Sequence, residues 1–468
     1  MADIFSLLIQ SGSSLSAQSA ALATAGHNIA NANTPGYSRQ IANFAANPAI
    51  AAMGSIAVGT GVSLQSVTQA RNLFVERQIP TALGAQGYSG SLNAALQSVT
   101  ALDTDLQGGM TSALGAFYSS LRTLSQNPGD LALRQGVIGS SQALARSFNA
   151  TVGAIDQART GLDSEIVGDL AQINGVARSL ADLNKQIEAV TSGEGQANDL
   201  KDQRQIAVDT LARMTGGTPY ANGAGDVSVA LPGGTALVID GAAGQFSAVG
   251  DPANGGHLKV RFTRADGSGP VDMPNAGFGG ELGGRFAARD GAMKTAISSL
   301  DTFAFDLATS VNTIHSAGYA MDGSTLRPLF TIPVAAPGAA SQIAVNGVVA
   351  ADPRLLAAAT TLPAASGDNR NILAMVGTES QMLAGGADPV ATLQQLVTAY
   401  GSSTSQAQAV SEHDAALSTH LSKLRDSETG VSIDEEMINL TKAQKSYEAL
   451  AKVISTANQM LDTLMSLK

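Results

Sequence analysis

The chain contains no cysteine and no tryptophan. Without cysteine it has no disulfide, no zinc–thiolate site and no thiol nucleophile. Aromatic residues make up only 4% of the chain, which suits closely packed helices better than a pocket for a flat ligand. Charged residues are also scarce, at 14%, and the net charge is −11. An acidic, charge-poor surface is a poor match for a phosphate backbone or an anionic bilayer, so nucleic acid is set aside. No apolar run approaches the ~20 residues of a membrane-spanning helix, so no membrane insertion is expected. The first positive charge is Arg39, and the apolar run "IFSLLI" before it is short. A Sec-type signal peptide, with its basic start and longer apolar core, is therefore not expected.

What is present is helical periodicity over most of 468 residues, enough for about three domains of ~150 residues. Ile4, Leu8, Ser11, Leu15, Gln18, Leu22, Ala25 and Ile29 recur at 4-3-4-3 spacing, which is one stripe of a helix. Before Ser38 the only charge in the chain is Asp3. A helix open to water normally carries charge on its outer face, so this outer face reads as covered too. The far end mirrors it, from Ile433 through Met437, Leu440, Gln444, Tyr447, Ala451, Ile454, Asn458 and Leu461 to Met465. Isolated helices of this kind are marginal in water and want a partner, so the two termini are expected to pair as a coiled coil. Between them a seam from Val137 to Val190 predicts one very long helix over about residues 131–189, and residues 196–214 a further helix.

The pattern then switches to period two. "DVSVAL" and "ALVID" flank Pro232-Gly233-Gly234 as a hairpin, and "HLKVRF" puts Leu258, Val260 and Phe262 on one strand face. Helix resumes near Glu281 and runs to about His315; a loop-rich stretch containing the strand "QIAVN" follows, and helices return from about Asp388. The expected class is mainly α with an inserted β domain, built as nested discontinuous domains. Residues 1–60 with 405–468 form the terminal helical assembly domain. Residues 61–217 with 281–404 form a long-helix middle domain, loop-rich at about 320–367. Residues 218–280 form a β-rich outer domain.

No chemistry stands out. The nucleophile-elbow, zincin, P-loop and dinucleotide-binding motifs are absent, and "GFGGELGG" reads as a strand-to-helix joint. "DTDLQGG" from Asp103 begins like a calcium loop, but Leu114 stands where a bidentate glutamate is required. His413 and His420 can share a helix face without a third ligand, and no sequence neighbour makes His27 a base. Asp434, Glu435 and Glu436 open a helix, where acidic residues favour the macrodipole. The expectation is no catalytic residue, no metal and no cofactor.

One loop remains, "AGHNIANANTPGYSRQ". Asn28, Asn31 and Asn33 can bond nearby backbone, and Pro35-Gly36 turns the chain. Tyr37 and Arg39 then offer an aromatic face and a positive charge. A helix stop needs only the Pro-Gly pair, so the extra amides point to an assembly joint that meets a neighbouring subunit. With it go the terminal seams, Ile4, Leu8, Leu15, Leu22 and Ile29 against Met437, Leu440, Tyr447, Ile454 and Leu461.

"NIANANTPGYSRQ" and "SIDEEMINLTKAQKSYEALAKVISTANQMLDTLMSL" resemble the terminal motifs of the flagellar axial proteins of rod, hook and hook-associated type. The interior segments "SLRTLSQNPGDLALRQGVIGSSQALA", "NDLKDQRQIAVDTL", "GGELGGRFAARD", "AGYAMDG" and "GDNRNILAM" are similar to those of the hook-associated members. The resemblance implies a structural, extracellular component of the bacterial flagellum, exported unfolded without a cleaved signal. It implies a place between hook and filament, polymerised through paired terminal helices. The implied partners are hook protein, a second hook–filament junction protein, further copies of itself and, before export, a cytoplasmic chaperone on the C-terminal helix from Met437 to Leu461. A hook or distal-rod role, or a secreted enzyme carried on an axial tail, are the alternatives.

Overall fold

In the computed structural model of the chain, residues 2–48, 50–52, 56–99, 109–193, 196–221, 225–362 and 367–466 are described. The calcium-loop candidate at residues 103–108 lies outside them. The N-terminal stripe forms helix α1 (Ala2–Asn31), which ends where asparagines and Pro35-Gly36 follow. Strand β1 (Gln40–Ala46) pairs antiparallel with β4 (Val62–Gln69), while β2 (Ile50–Ala52) and β3 (Ile56–Val58) pair between them. This ribbon is not apparent in the sequence, because β1 and β4 mix apolar and polar residues on both faces and are half-buried or exposed along their length. Helix α2 (Leu73–Gln97) also escapes notice, since Pro80 and a run of Gly, Ala and Ser blur its periodicity. Asn72 starts it by accepting the Phe74 and Val75 N–H groups.

Helix α3 (Met110–Gln126) is followed by α4 (Leu131–Ser192), 62 residues and about 93 Å at 1.5 Å per residue. Asp130 caps α4 through Ala132 and Leu133, and α5 (Asn198–Thr215) returns against it, closed by Gly216 in the left-handed region. The β insertion holds two antiparallel sheets. Strands β5 (Thr218–Ala221), β6 (Val227–Ala230), β7 (Ala236–Ile239) and β8 (Ala242–Ala243) lie in sequence order in one. Strand β10 (Leu258–Thr263) lies between β9 (Gln245–Gly250) and β11 (Val271–Met273) in the other. Helices α6 (Gly280–Phe286) and α7 (Lys294–Ala317) are joined by a π-helical stretch, Ala287–Met293. A cap follows, made of β12 (Phe330–Thr331), α8 (Ala339–Gln342), β13 (Ala344–Val345), α9 (Gly347–Ala351) and α10 (Arg370–Gly377). The chain closes with α11 (Pro389–Thr429), laid along α2, and α12 (Ile433–Ser466), laid along α1.

Two hydrophobic cores share α4. Its first half, Val137 to Leu162, packs with Phe117 and Leu121 of α3, Phe303 and Leu307 of α7, and the cap. Its second half, Ile166 to Ala181, packs with α5, α6 and Val229, Phe246, Val260 and Phe262 of the sheets. Between the cores lies a polar layer. The fully buried Arg289 of the π-helical stretch contacts Asp163 of α4 and bonds Asp290 and the Leu258 carbonyl. His257 closes the layer on Asp163 at 2.7 Å. A buried guanidinium is tolerable only with partners this complete.

Under the cap, His315 donates Nδ1–H to the Arg327 carbonyl (2.7 Å) and accepts the Ala357 N–H on Nε2 (3.1 Å). That pairing needs the neutral ring, and burial holds its pKa down to about 4 from 6.5. Between those values the unfolded chain binds a proton that the folded chain does not, so stability rises with pH across the window. The contribution is complete above about pH 6.5 and lost as pH falls towards 4. We expect urea titrations to show a loss of order 2–3 kcal/mol from this site. His315→Gln should flatten the slope in the same window, and equal slopes in both proteins would refute the neutral, buried ring.

Candidate functional site: the terminal joint

The turn after α1 is set by local chemistry. The Tyr37 N–H bonds the Thr34 carbonyl (3.2 Å) across Pro35 and Gly36, and Gly36 has φ +77°. Proline at the second position and glycine with positive φ at the third are what a type II turn demands. A side chain at Gly36 would also press on Ile206 of α5, whose Cδ1 lies 2.8 Å from where its Cβ would sit.

Asn28 is the centre of the joint. It is 1% exposed, and its amide uses all of its hydrogen-bonding capacity. Nδ2 donates to the Gln40 carbonyl (2.9 Å) and to Glu436 Oε2 (3.1 Å). Oδ1 accepts the Gln40 N–H (2.9 Å) and the Tyr37 hydroxyl (2.7 Å). The side chain thus pairs with Gln40 as a neighbouring strand would, while holding the first turn of α12. Glu436, 3% exposed, receives Arg39 Nε on its other oxygen at 2.7 Å. Arg39 N–H also donates to the last residue of α11, Thr429, at 2.9 Å. Burial, and behind it Asp199, Asp202 and Glu436, holds the Tyr37 phenol well above its ordinary range, so it stays a donor.

A second buried carboxylate grips the same loop from the helical body. Asp202 of α5 accepts Ser38 N–H (3.1 Å), Ser38 Oγ (2.8 Å), Gln69 Nε2 (2.7 Å) and Arg71 Nη2 (3.1 Å). Beside it, Asp199 accepts Gln40 Nε2 (2.8 Å) and lies 3.2 Å from His27 Nε2. Residues 37–40 therefore run between two carboxylates, one from α12 and one from α5, so the joint fixes the terminal pair to the body.

The structure gathers part of the set named from the sequence. Asn28, Tyr37 and Arg39 meet in one network, with their polar groups engaged inside the chain. Asn31 supports it by bonding the His27 carbonyl (3.0 Å) and receiving Thr34 Oγ1 (3.2 Å). Asn33, Pro35 and Gly36 stand on the exposed rim. Along the terminal pair, Ile4, Leu8, Leu15, Leu22 and Ile29 are half-buried, as are Leu440, Ile454 and Leu461, whereas Met437 and Tyr447 are exposed. The fully buried positions are smaller: Ser11, Ser14, Ala17 and Ala25 on α1, Ala443 and Ala457 on α12. Sequence reading missed Ser38, Gln69, Asp202 and the pairing role of Glu436. Asp202 lies 164 residues from Ser38, and nothing local signals that contact.

Among the described residues, no group of three or more His, Cys, Asp or Glu is placed to hold a metal ion, and no helix is long and apolar enough to cross a membrane. What the joint can do is mechanical. It couples the order of α1, α12 and α5. We expect Asn28→Ala to strand the Gln40 N–H and the Tyr37 hydroxyl, costing ~1–3 kcal/mol locally. Hydrogen exchange at Gln40 should then quicken by roughly ten- to a hundred-fold. An unchanged rate would remove Asn28 from the centre of the joint.

The chain is similar to known proteins over most of its length. Residues 96–330 match the family "Flagellar hook-associated protein FlgK helical domain". Residues 10–37 match "Flagella basal body rod protein", and residues 426–467 "Flagellar basal body rod FlgEFG protein C-terminal". The chain is 26% identical to flagellar hook-associated protein 1 of Salmonella typhimurium, across 99% of this chain and 100% of that protein. It is 27% identical to the Bacillus subtilis protein of the same name, across 97% and 96%. The fold resembles that of the flagellar hook junction protein FlgK from Burkholderia pseudomallei, with a TM-score of 0.64 at 18% identity, over 76% of this chain and 99% of that one.

Proposed function

The chain belongs to the flagellar hook-associated protein FlgK family and is a structural component of the flagellar hook–filament junction, and on that premise we propose how it is built in. The terminal pair, residues 1–60 with 405–468, is the polymerising part. The body of residues 61–217 with 281–404 stands outside it, and the β domain of residues 218–280 is outermost. The observation that carries this reading is the inverted terminal pair. Small residues face inward, while Ile9 (72% exposed), Ile438 (54%) and Met460 (53%) are exposed. Large apolar groups on the outer face of a two-helix pair await neighbouring helices.

The neighbours are further copies of the chain, hook protein on one side and a second junction protein on the other. Before export the C-terminal helix, with its exposed Met437, Tyr447 and Met460, is the segment a cytoplasmic chaperone would cover. The chain then leaves without a cleaved signal and folds its termini on incorporation, where burial of the outer faces offsets the ordering entropy. The role is structural rather than catalytic.

The test is complementation of a strain lacking the chain. The wild-type chain should restore attached filaments, and the strain without it should release unassembled filament protein into the medium. Ala457→Glu places a charge in the α1–α12 seam, where Ala457 is 2% exposed. It should abolish attachment while the body keeps its thermal transition. Normal filaments with that variant would sink the proposal that the terminal pair polymerises.

A further inference from the structure

The polar layer between the two cores holds one amide in a field that bears on its chemistry. Asn254 ends the short turn Pro252–Asn254, half-buried, in the loop that leads from β9 to β10. Its Oδ1 accepts from two cations, Lys294 Nζ at 3.0 Å and Arg159 Nη2 at 3.4 Å. Its Nδ2 donates at 2.7 Å to Oδ1 of Asp290, a carboxylate that Arg289 also holds. The amide is polarised at both ends, with positive charge at its oxygen and negative charge at its nitrogen.

The next residue is Gly255. It is exposed, has φ +68°, and a Cβ there would meet nothing within 4 Å. With no side chain to shield it, the glycine nitrogen is open to solvent base and is held next to the asparagine Cγ by the chain itself. Attack of that nitrogen on Cγ drives charge onto Oδ1, where Lys294 and Arg159 stand. Donors placed where an oxyanion develops lower the barrier to forming it. The departing nitrogen, as it gains protons, leaves beside the carboxylate of Asp290.

We propose that Asn254 is a self-deamidation site, with Lys294 and Arg159 stabilising the oxyanion. Solvent base takes the Gly255 N–H proton, and the nitrogen forms a bond to Asn254 Cγ. The Cγ–Nδ2 bond breaks, Nδ2 takes a proton from water, and ammonia departs to leave a succinimide. Water then opens the ring to aspartate or isoaspartate, so water is the one co-reactant. The product lacks the Nδ2 donor and sets a carboxylate against Asp290. One tie between the β domain and the π-helical stretch is thereby lost.

An amide that is merely well fixed would gain nothing from the cations, and Asn346 tells the two apart. It also is half-buried and precedes an exposed glycine with open space around it, Gly347, but its Oδ1 accepts the uncharged Val348 N–H at 3.0 Å. The test is peptide mass spectrometry of the folded full chain after incubation in mildly alkaline buffer. Asn254 should convert roughly ten-fold faster than Asn346, and Lys294→Ala should slow Asn254 by a similar factor without affecting Asn346. Lys294 is exposed, so its truncation leaves both cores in place. An intact Asn254, equal rates at the two asparagines, or a rate indifferent to Lys294→Ala would each overturn the proposal. Asn254→Asp, which is the product, supplies the second measurement. Hydrogen exchange at the Asp251 N–H, bonded to the His257 carbonyl at 2.8 Å, should quicken roughly ten-fold. Unchanged exchange would overturn the loss of the tie.

Discussion

A helix of 62 residues cannot stand alone in water, and the arrangement of the body follows from covering α4 along its length. Its buried positions change partners halfway. Up to Leu162 they meet α3, α7 and the cap; from Ile166 they meet α5, α6 and the sheets. The β domain is consequently not a free appendage, because Phe246, Val260 and Phe262 share a core with Ile166, Leu170 and Ile173. Where the two cores meet, Asp163 and Arg289 place charge in the interior, a device that trades apolar burial for a defined register between the halves. The π-helical stretch lies at that boundary and carries Arg289, so the irregular backbone and the polar layer are one feature.

The joint applies the same physics at the termini with less apolar support. A loop of backbone polar groups, 37–40, is held between Glu436 and Asp202, and each carboxylate accepts from more than one donor. Hydrogen bonds to charged groups are the stronger kind, roughly 1.5–3 kcal/mol each, and they are directional. Direction matters here. The network fixes the angle at which α1 and α12 leave the body, which a greasy contact between the same elements would leave free to slide.

Legibility in the sequence followed the range of the determining interactions. The bounds of α4 and α12, the hairpin around Gly234 and the switch to β structure near Thr218 were readable because periodicity and turn chemistry are local. Helix α2 was not, because it is ordered by close approach at Gly84 and Gly87 rather than by an apolar stripe. At the joint, the density of asparagines draws attention to a loop in which Asn28 and Asn31 are engaged, but the partners Asp202 and Glu436 lie 164 and 408 residues from the groups they hold. No pattern within the loop encodes which carboxylate will arrive. As sequence, the first-turn acids of α12 read as a helix-dipole feature, whereas in the fold Glu436 among them is buried.

The terminal pair is built the opposite way from the body. In the two cores, Phe, Leu, Ile and Val point inward, each worth about 1.5–3 kcal/mol when fully buried. Apart from Asn28 and Glu436 at the joint, the buried positions along α1 and α12 are alanine and serine, which contribute far less per turn, and the large side chains Phe5, Ile9, Ile438 and Met460 are exposed. Small residues let the two helices approach closely and define a register, but they leave the pair with little stability of its own. That stability must come from whatever covers the outside. On the assembly proposed above, neighbouring subunits would complete the stability of the terminal pair. Order at the termini would then follow from assembly, with Asn28 tying α1 to α12 and to the loop that Asp202 of α5 holds.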